Sequence, residues 1–181
     1  MKESLMLYRT TMPSPIGRLT IIADERAVVA IMWDTETDDR DPDARNPVER
    51  ALGNQEVVDL GVGQHLVLDD ARTQLAEYFD GRRTDFDLPL APIGSDFQLA
   101  AWRALRTIPF GQTISYGEQA ASMGDKKKAR AVGAANGKNP IPIVVPCHRV
   151  VGSNGRLTGF AGGLHVKAWL LDHEFQVSLS L

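Results

Sequence analysis

The sequence predicts two units in tandem: an α/β N-terminal domain over residues 1–90 and a mainly α C-terminal domain over residues 91–181 containing a helix-turn-helix. Three observations predict this division. Branched and aromatic runs cluster before residue 34, whereas apolar residues at helical spacing dominate after residue 95. Asp87-Leu88-Pro89-Leu90-Ala91-Pro92 has the composition of a linker. Charge changes sign at the same place, with ten Lys and Arg against eighteen Asp and Glu in residues 1–90 and ten against five in residues 91–181. At 181 residues, 43% of them apolar, the chain can build one sizeable core or two small ones.

Ser14-Pro15-Ile16-Gly17 is a turn signal. Leu19 to Ala23 and Val28 to Trp33 follow as the two strands of a hairpin around Asp24-Glu25-Arg26. From Asp34 to Glu56 the chain is acidic, carries Pro42 and Pro47, and has no sustained apolar period, which predicts a loop. A helix fits Leu66 to Phe79, where Leu68, Ala71, Leu75, Tyr78 and Phe79 share one side and Gly81 supplies a stop.

The second half opens with a helix from about Ser95 to Thr107, with Phe97, Ala101, Trp102 and Leu105 facing the core and Pro109-Phe110-Gly111 as the break. Ser115-Tyr116-Gly117-Glu118 matches a capping box and starts a short helix that ends at Gly124-Asp125. Lys126 to Ala135 forms the next helix, completing the helix-turn-helix. After the turn cluster Asn136-Gly137-Lys138-Asn139-Pro140, the run Ile141 to Val145 reads as a buried strand leading to Cys147. Gly152 to Gly155 reverses the chain, and Thr158 to Gly163, nearly free of large side chains, can close over a flat ligand. The last helix spans Leu164 to Phe175, with Leu164, Ala168, Leu171 and Phe175 as its apolar face.

Two patterns carry chemistry. Lys126, Lys127, Lys128 and Arg130 crowd the start of a helix, where cations oppose the helix dipole and phosphates would offset the penalty. Ala129, Ala131 and Gly133 beside them leave room for a close approach to a groove wall or to another helix. The second pattern is Cys147, the single cysteine, followed directly by His148. Glu174 borders the apolar face of the last helix near its C-terminus, where a negative charge calls for a partner, and His148 is the natural one. Spacing alone also allows a small core cysteine and an exposed glutamate. No stretch approaches the roughly 20 apolar residues of a membrane span, and residues 1–10 lack the features of a signal peptide, so a cytoplasmic protein with a reduced thiol is expected.

Pro146-Cys147-His148-Arg149-Val150, preceded by Asn139-Pro140-Ile141-Pro142-Ile143-Val144-Val145, resembles the active-site signature of O6-alkylguanine-DNA alkyltransferases, also called methylated-DNA-protein-cysteine methyltransferases. The resemblance extends through Ser115-Tyr116-Gly117, Ala129 to Gly133, Leu157-Thr158-Gly159, Gly162-Gly163-Leu164 and Leu170 to Glu174. It implies a ribonuclease-H-like N-terminal domain and a C-terminal domain that repairs double-stranded DNA containing O6-alkylguanine. By this resemblance Cys147 takes the alkyl group, His148 deprotonates it through a water, and Glu174 orients His148. Tyr116 assists the departing guanine, and Asn139 holds the turn beneath the cysteine. Arg130 fills the stack vacated by the flipped nucleotide, and the backbone carbonyl of Val150 contacts the base. Phe160, Ala161 and Gly162 line the pocket, with Phe160 and Ala161 standing where relatives often have tyrosine and serine. Lys126 replaces a proline common at the start of the recognition helix.

The thioether product has no easy return to thiol, so one turnover per chain is expected, without a metal or organic cofactor. The N-terminal half holds no cysteine and only His65, which argues against a zinc site there. The protein is expected to be a monomer, with cooperative loading on DNA left open. Two other classes fit parts of the pattern: a cysteine hydrolase built on Cys147, His148 and Glu174, and a non-catalytic module that recognises alkylated bases.

Overall fold

A computed structural model describes residues 6–33 and 55–181. Most of the acidic stretch expected to be a loop, residues 34–54 of it, lies outside the described residues. The chain divides between Ile93 and Gly94 into two compact units. Among the described residues no helix is long and apolar enough to cross a membrane.

Among the described residues the N-terminal unit is a four-stranded sheet with one helix packed on it. Strands β1 (Leu7–Met12), β2 (Leu19–Ala23), β3 (Val28–Trp33) and β4 (Val57–Asp59) lie in the order β3-β2-β1-β4. β2 is antiparallel to both β1 and β3, and β4 is parallel to β1. The Ser14–Gly17 turn that joins β1 to β2 closes through reciprocal backbone bonds of 3.1 and 3.2 Å, and Gly17 sits at φ +105°, a conformation that favours glycine. The Asp24 carboxylate accepts from the amides of Arg26 and Ala27, both at 2.7 Å, fixing the β2–β3 turn.

Helix α1 (Leu66–Phe79) buries Leu68, Ala71, Leu75 and Tyr78 against this sheet, whose own core includes Leu7, Ile22, Val29 and Ala30. His65 caps its start by accepting from the Leu68 amide. Buried Gln74 holds Asp87 at both backbone groups, at 3.0 and 2.9 Å, so the segment before the second unit is tied to α1.

The C-terminal unit is helical. Helix α2 (Asp96–Leu105) starts at a capping box made by Ser95 and Gln98 and buries Ala101, Trp102 and Leu105, whereas Phe97 is half-buried. α3 (Tyr116–Ser122) starts at the box made by Ser115 and Glu118, and α4 (Ala129–Asn136) follows after a turn through Gly124 at φ +100°. The Trp102 indole donates to the Ala135 carbonyl at 2.9 Å, and the side-chain amides of Gln119 and Asn136 bond each other at 2.7 and 3.2 Å. These bonds lock α2, α3 and α4 into one packing arrangement.

The expected helix from Lys126 is not one helix. Lys126–Lys128 form a 3-10 turn whose first residues are held by Asp125, with its carboxylate accepting from the Lys127 amide at 3.0 Å. α4 begins only at Ala129. The tight turn places the three lysines before the α-helix proper, which relieves part of the dipole penalty expected for cations in its first turn.

Two short strands, β5 (Ile114–Ser115) and β6 (Val150–Val151), pair in parallel and bring the start of α3 to the end of the Cys147 segment. The last helix, α5 (Leu164–Ser178), runs three residues longer than expected, and a different face is buried. Val166, Lys167, Leu170 and Glu174 point inward, while Leu164 and Phe175 are 48% and 53% exposed. Two ionisable side chains occupy inward positions of this helix, so apolarity alone misplaces the face by about one residue.

Candidate active site

The run Ile141 to Val145 is buried as expected but is a loop, not a strand. Pro140 and Pro142 carry no amide hydrogen and cannot fill a central ladder. Asn139 satisfies the backbone instead. Its side-chain oxygen accepts from the Ile141 amide at 3.0 Å and its nitrogen donates to the Val145 carbonyl at 2.7 Å. The loop passes through Ile143 at φ +74°, a left-handed conformation that costs a β-branched residue on the order of 1–3 kcal/mol. Full burial of Ile143 and the Asn139 bonds hold it there.

Cys147 follows in a 3-10 turn, Cys147–Arg149, and is 8% exposed. Burial pushes its thiol above the usual value, against the Asn139 side chain, the Lys167 charge and nearby backbone amides, all of which favour the thiolate. The resting sulfur is therefore a protonated thiol at neutral pH.

The imidazole that follows Cys147 in the chain has a buried support. His148 Nε2 lies 2.7 Å from Glu174 Oε1, both residues being almost fully buried. Glu174 also accepts from Arg149 through Nε at 2.9 Å and Nη2 at 3.0 Å, and from the Gly111 amide at 3.0 Å. Burial opposes ionisation of Glu174, but His148 and Arg149 outweigh it and bring the carboxyl down to about 2. Burial, joined by the charges of Arg149 and Lys167, lowers the His148 pKa against the raising effect of Glu174. An ionised Glu174 facing a neutral imidazole fixes the tautomer with hydrogen on Nε2, leaving the Nδ1 lone pair as the basic atom. Nδ1 is buried without a hydrogen-bond partner among the described residues.

Tyr116, half-buried at the start of α3, donates its hydroxyl to the Thr158 carbonyl at 3.0 Å. Lys167 reaches the same carbonyl at 2.9 Å and the Val150 carbonyl at 2.6 Å. The structure thus draws Cys147, His148, Glu174, Asn139, Tyr116 and Val150 into one connected network. Phe160 and Gly162 are half-buried and Ala161 is exposed in the loop between β6 and α5. On the other side of Tyr116, Lys126, Lys127, Lys128, Arg130 and Ala131 are exposed, and Ala129 and Gly133 are half-buried. A Cβ on Gly133 would lie 3.5 Å from the Tyr116 ring, so α4 approaches that ring closely. A cleft of about 800 Å³ runs along this side, between Tyr116, Lys126 and Ala129 and the segment Val151 to Ser153.

Two family profiles match the chain, the ribonuclease-like domain of 6-O-methylguanine DNA methyltransferase over residues 7–92 and its DNA binding domain over residues 96–176. The chain is 40% identical over 168 residues to the methylated-DNA–protein-cysteine methyltransferase of Methanosarcina acetivorans, covering 93% of this chain and 98% of that one. It belongs to the methylated-DNA–protein-cysteine methyltransferase family. The Salmonella typhimurium member is 45% identical over 172 residues, 94% of this chain and 96% of its own. Among solved structures, that of Mycobacterium tuberculosis OGT in complex with DNA superposes with a TM-score of 0.79 at 38% identity, covering 96% of this chain and 94% of that one.

For this methyltransferase-family chain, sequence reasoning missed two residues of the network. In the sequence Arg149 stands only as part of the Pro146 to Val150 motif, yet it makes the bidentate pair with Glu174, donates to the Ile108 carbonyl at 2.6 Å and lies over the Phe110 ring. Lys167 belongs to no motif in the sequence. The signal for it was present: Lys167 stands three residues before Leu170 and seven before Glu174, one helical stripe with the carboxylate.

Proposed function

We propose that this chain reverses O6-alkylguanine damage in double-stranded DNA by moving the alkyl group onto Cys147, once and irreversibly. The observation that carries this reading is a buried cysteine whose neighbouring imidazole is held by an ionised Glu174, in a chain 40% identical to a methylated-DNA–protein-cysteine methyltransferase over 93% of its length. The N-terminal sheet and α1 form a ribonuclease-H-like domain. α3 and α4 form the helix-turn-helix that meets DNA through Lys126, Lys127, Lys128 and the small residues Ala129, Ala131 and Gly133.

The target base leaves the stack, since sulfur cannot reach O6 inside the duplex. Arg130 takes its place. The flipped guanine enters between Tyr116 and the loop bearing Phe160, Ala161 and Gly162, with the Val150 carbonyl as an acceptor for it. His148 Nδ1 takes the thiol proton through a water, an S–C bond forms as the C–O6 bond breaks, and Tyr116 gives a hydrogen bond or proton to the departing guanine. Asn139 keeps the Cys147 turn rigid throughout.

Magnitudes show why several groups act together. An ordinary thiol of pKa about 8.5 is only about 3% ionised at pH 7. Complete ionisation would speed attack about thirtyfold, or about 2 kcal/mol of barrier. A thiol pushed above that value starts from less, so coupled proton removal, alignment of sulfur, carbon and oxygen, and neutralisation of charge on guanine supply the rest.

Intact-mass analysis after mixing the protein with a duplex containing O6-methylguanine tests the reading. One methyl per chain, mapped to Cys147, is expected. Repeated turnover without DNA would point to a hydrolase, and tight binding without mass gain to a passive reader of damage.

A further inference from the structure

Tyr116 meets the charge that develops on the departing guanine, and its hydroxyl has one proton to give and two lone pairs to receive with. In the free protein that proton goes to the Thr158 carbonyl at 3.0 Å. A second atom of the same residue faces the phenol oxygen: the Thr158 hydroxyl donates to it from 3.4 Å. That separation is longer than the roughly 2.5–3.0 Å of an ordinary O–H···O bond, so the hydroxyl is within reach of Tyr116 without being fully engaged. It donates to no other side chain or carbonyl among the described residues.

Thr158 is exposed in the loop between β6 and α5, two residues before Phe160. Its carbonyl does not depend on Tyr116, because the Lys167 ammonium also donates to it, at 2.9 Å. Tyr116 can therefore turn its proton from that carbonyl to an entering guanine and leave no backbone group unpaired. Whether the phenol then shares its proton or gives it up, its oxygen gains negative charge. A donor already 3.4 Å away can close on that oxygen with little reorganisation, which is the condition under which a hydrogen bond stabilises developing charge most. A methyl group in the same place would offer that charge nothing.

We propose that Thr158 is a positioning residue for alkyl transfer: its hydroxyl donates to the Tyr116 oxygen and stabilises it while Tyr116 passes its proton toward the departing guanine. This rests on the transfer reading given above. As the S–C bond forms and the C–O6 bond breaks, the electron pair of the broken bond stays with guanine and the Tyr116 proton moves to it. Thr158 keeps its own proton throughout. The thiol proton taken by His148 passes to solvent, and solvent returns one to Tyr116. Thr158 thus holds the phenol through its carbonyl in the free protein and through its hydroxyl during transfer.

The test uses full-length Thr158→Val and Thr158→Ser beside the wild type, each alone and combined with Tyr116→Phe. Folding is followed by circular dichroism and DNA affinity by fluorescence anisotropy. Both replacements keep the backbone carbonyl and lie at an exposed position, so each variant should fold as the wild type does. The rate read is single-turnover methyl transfer at saturating O6-methylguanine duplex. Thr158→Val should slow it by about tenfold, as for loss of a hydrogen bond to a charged group, with DNA affinity unchanged. Thr158→Ser, which keeps the hydroxyl, should recover most of that loss. In the Tyr116→Phe background, where there is no phenol oxygen to receive the bond, Thr158→Val should change nothing. Carbamidomethylation of Cys147 by iodoacetamide without DNA, in which no guanine departs, should proceed alike in Thr158→Val and the wild type. Equal transfer by Thr158→Val and the wild type would overturn the proposal, as would a Thr158→Ser variant no faster than Thr158→Val. The same slowing with and without the phenol, or a slower iodoacetamide reaction, would overturn it too, since the loss would then be structural. If Thr158→Val does not fold, Thr158→Ala decides through the same comparison in the two backgrounds. A wild type that gains no methyl from the duplex would instead defeat the transfer reading itself.

Discussion

In the N-terminal unit the buried polar side chains include Thr10, Thr20 and Gln74, all neutral, whereas the C-terminal unit buries His148, Arg149, Lys167 and Glu174. The N-terminal choice is the one that stability favours, because neutral groups lose less on leaving water. The C-terminal choice places four ionisable groups around one thiol, and each depends on partners contributed by other segments. The contrast teaches where this chain spends stability on chemistry. It also says which unit should respond more strongly to a charge deletion or to acid.

Removal of the sulfur should have the largest effect. Cys147→Ala should abolish methyl transfer entirely while leaving affinity for O6-methylguanine duplex within a few-fold of the wild type, as read by mass analysis and anisotropy. Any residual single-methyl gain in this variant would mean that the buried network serves some other nucleophile.

Glu174→Gln sharpens the comparison. It leaves Arg149 charged, buried and without its carboxylate, which should cost about 3–5 kcal/mol in urea unfolding. It also deprives His148 of its orienting anion, so transfer should fall by about a hundredfold or more, the usual range for losing a general base. The matched change in the other unit, Gln74→Ala, removes the bonds to Asp87 but no charge and should cost about 1–3 kcal/mol. Equal losses from the two substitutions would erase the distinction between the units.

Much of this contrast is invisible to sequence, for identifiable reasons. The caps at Ser95 and Ser115, the span of α1 and the β2–β3 hairpin are legible because their determinants lie within a few residues. β1 and β4 are not, since β1 carries Thr10 and Thr11 among its apolar residues and the three-residue β4 exists only by pairing with a strand about fifty positions earlier. Ile141 to Val145 imitates a strand because burial, not conformation, selects its composition. Nothing in an isoleucine announces φ +74°. Cys147, His148 and Glu174 are legible as chemistry, but the inward turn of Lys167 follows from α5 rotating to bring Glu174 inside.

Acid should reveal the same asymmetry as a pH profile. The folded Glu174 carboxyl titrates at about 2 against an ordinary value of 4.5, so its stabilisation is complete above 4.5 and is lost as pH falls toward 2. That difference corresponds to about 3 kcal/mol. His148 acts in the same direction at higher pH: the unfolded imidazole takes up a proton near 6.5, the folded one resists it, and stability declines as pH drops below 6.5. Unfolding free energies measured from pH 7.5 to 3 should therefore fall in two stages. Hydrogen exchange should show the amides of α5 losing protection before those of β2. Uniform loss across both units would contradict the assignment of the acid-sensitive groups to the C-terminal one.

The smallest expected effect concerns charges that are exposed, and it separates binding from chemistry. Lys126, Lys127 and Lys128 are exposed on a 3-10 turn held by Asp125 and carry no fold-determining bond through their side chains among the described residues. Their replacement by alanine should leave unfolding free energy nearly unchanged. If each neutralises one phosphate, every lysine removed should lower the slope of log affinity against log salt by about 0.9. At saturating duplex the rate of transfer should equal that of the wild type, because phosphate contacts position the protein without entering the reaction at Cys147. A reduced rate at saturation would place the lysine turn in base extrusion as well as docking, and the exposed and buried charges of this unit would then act as one system.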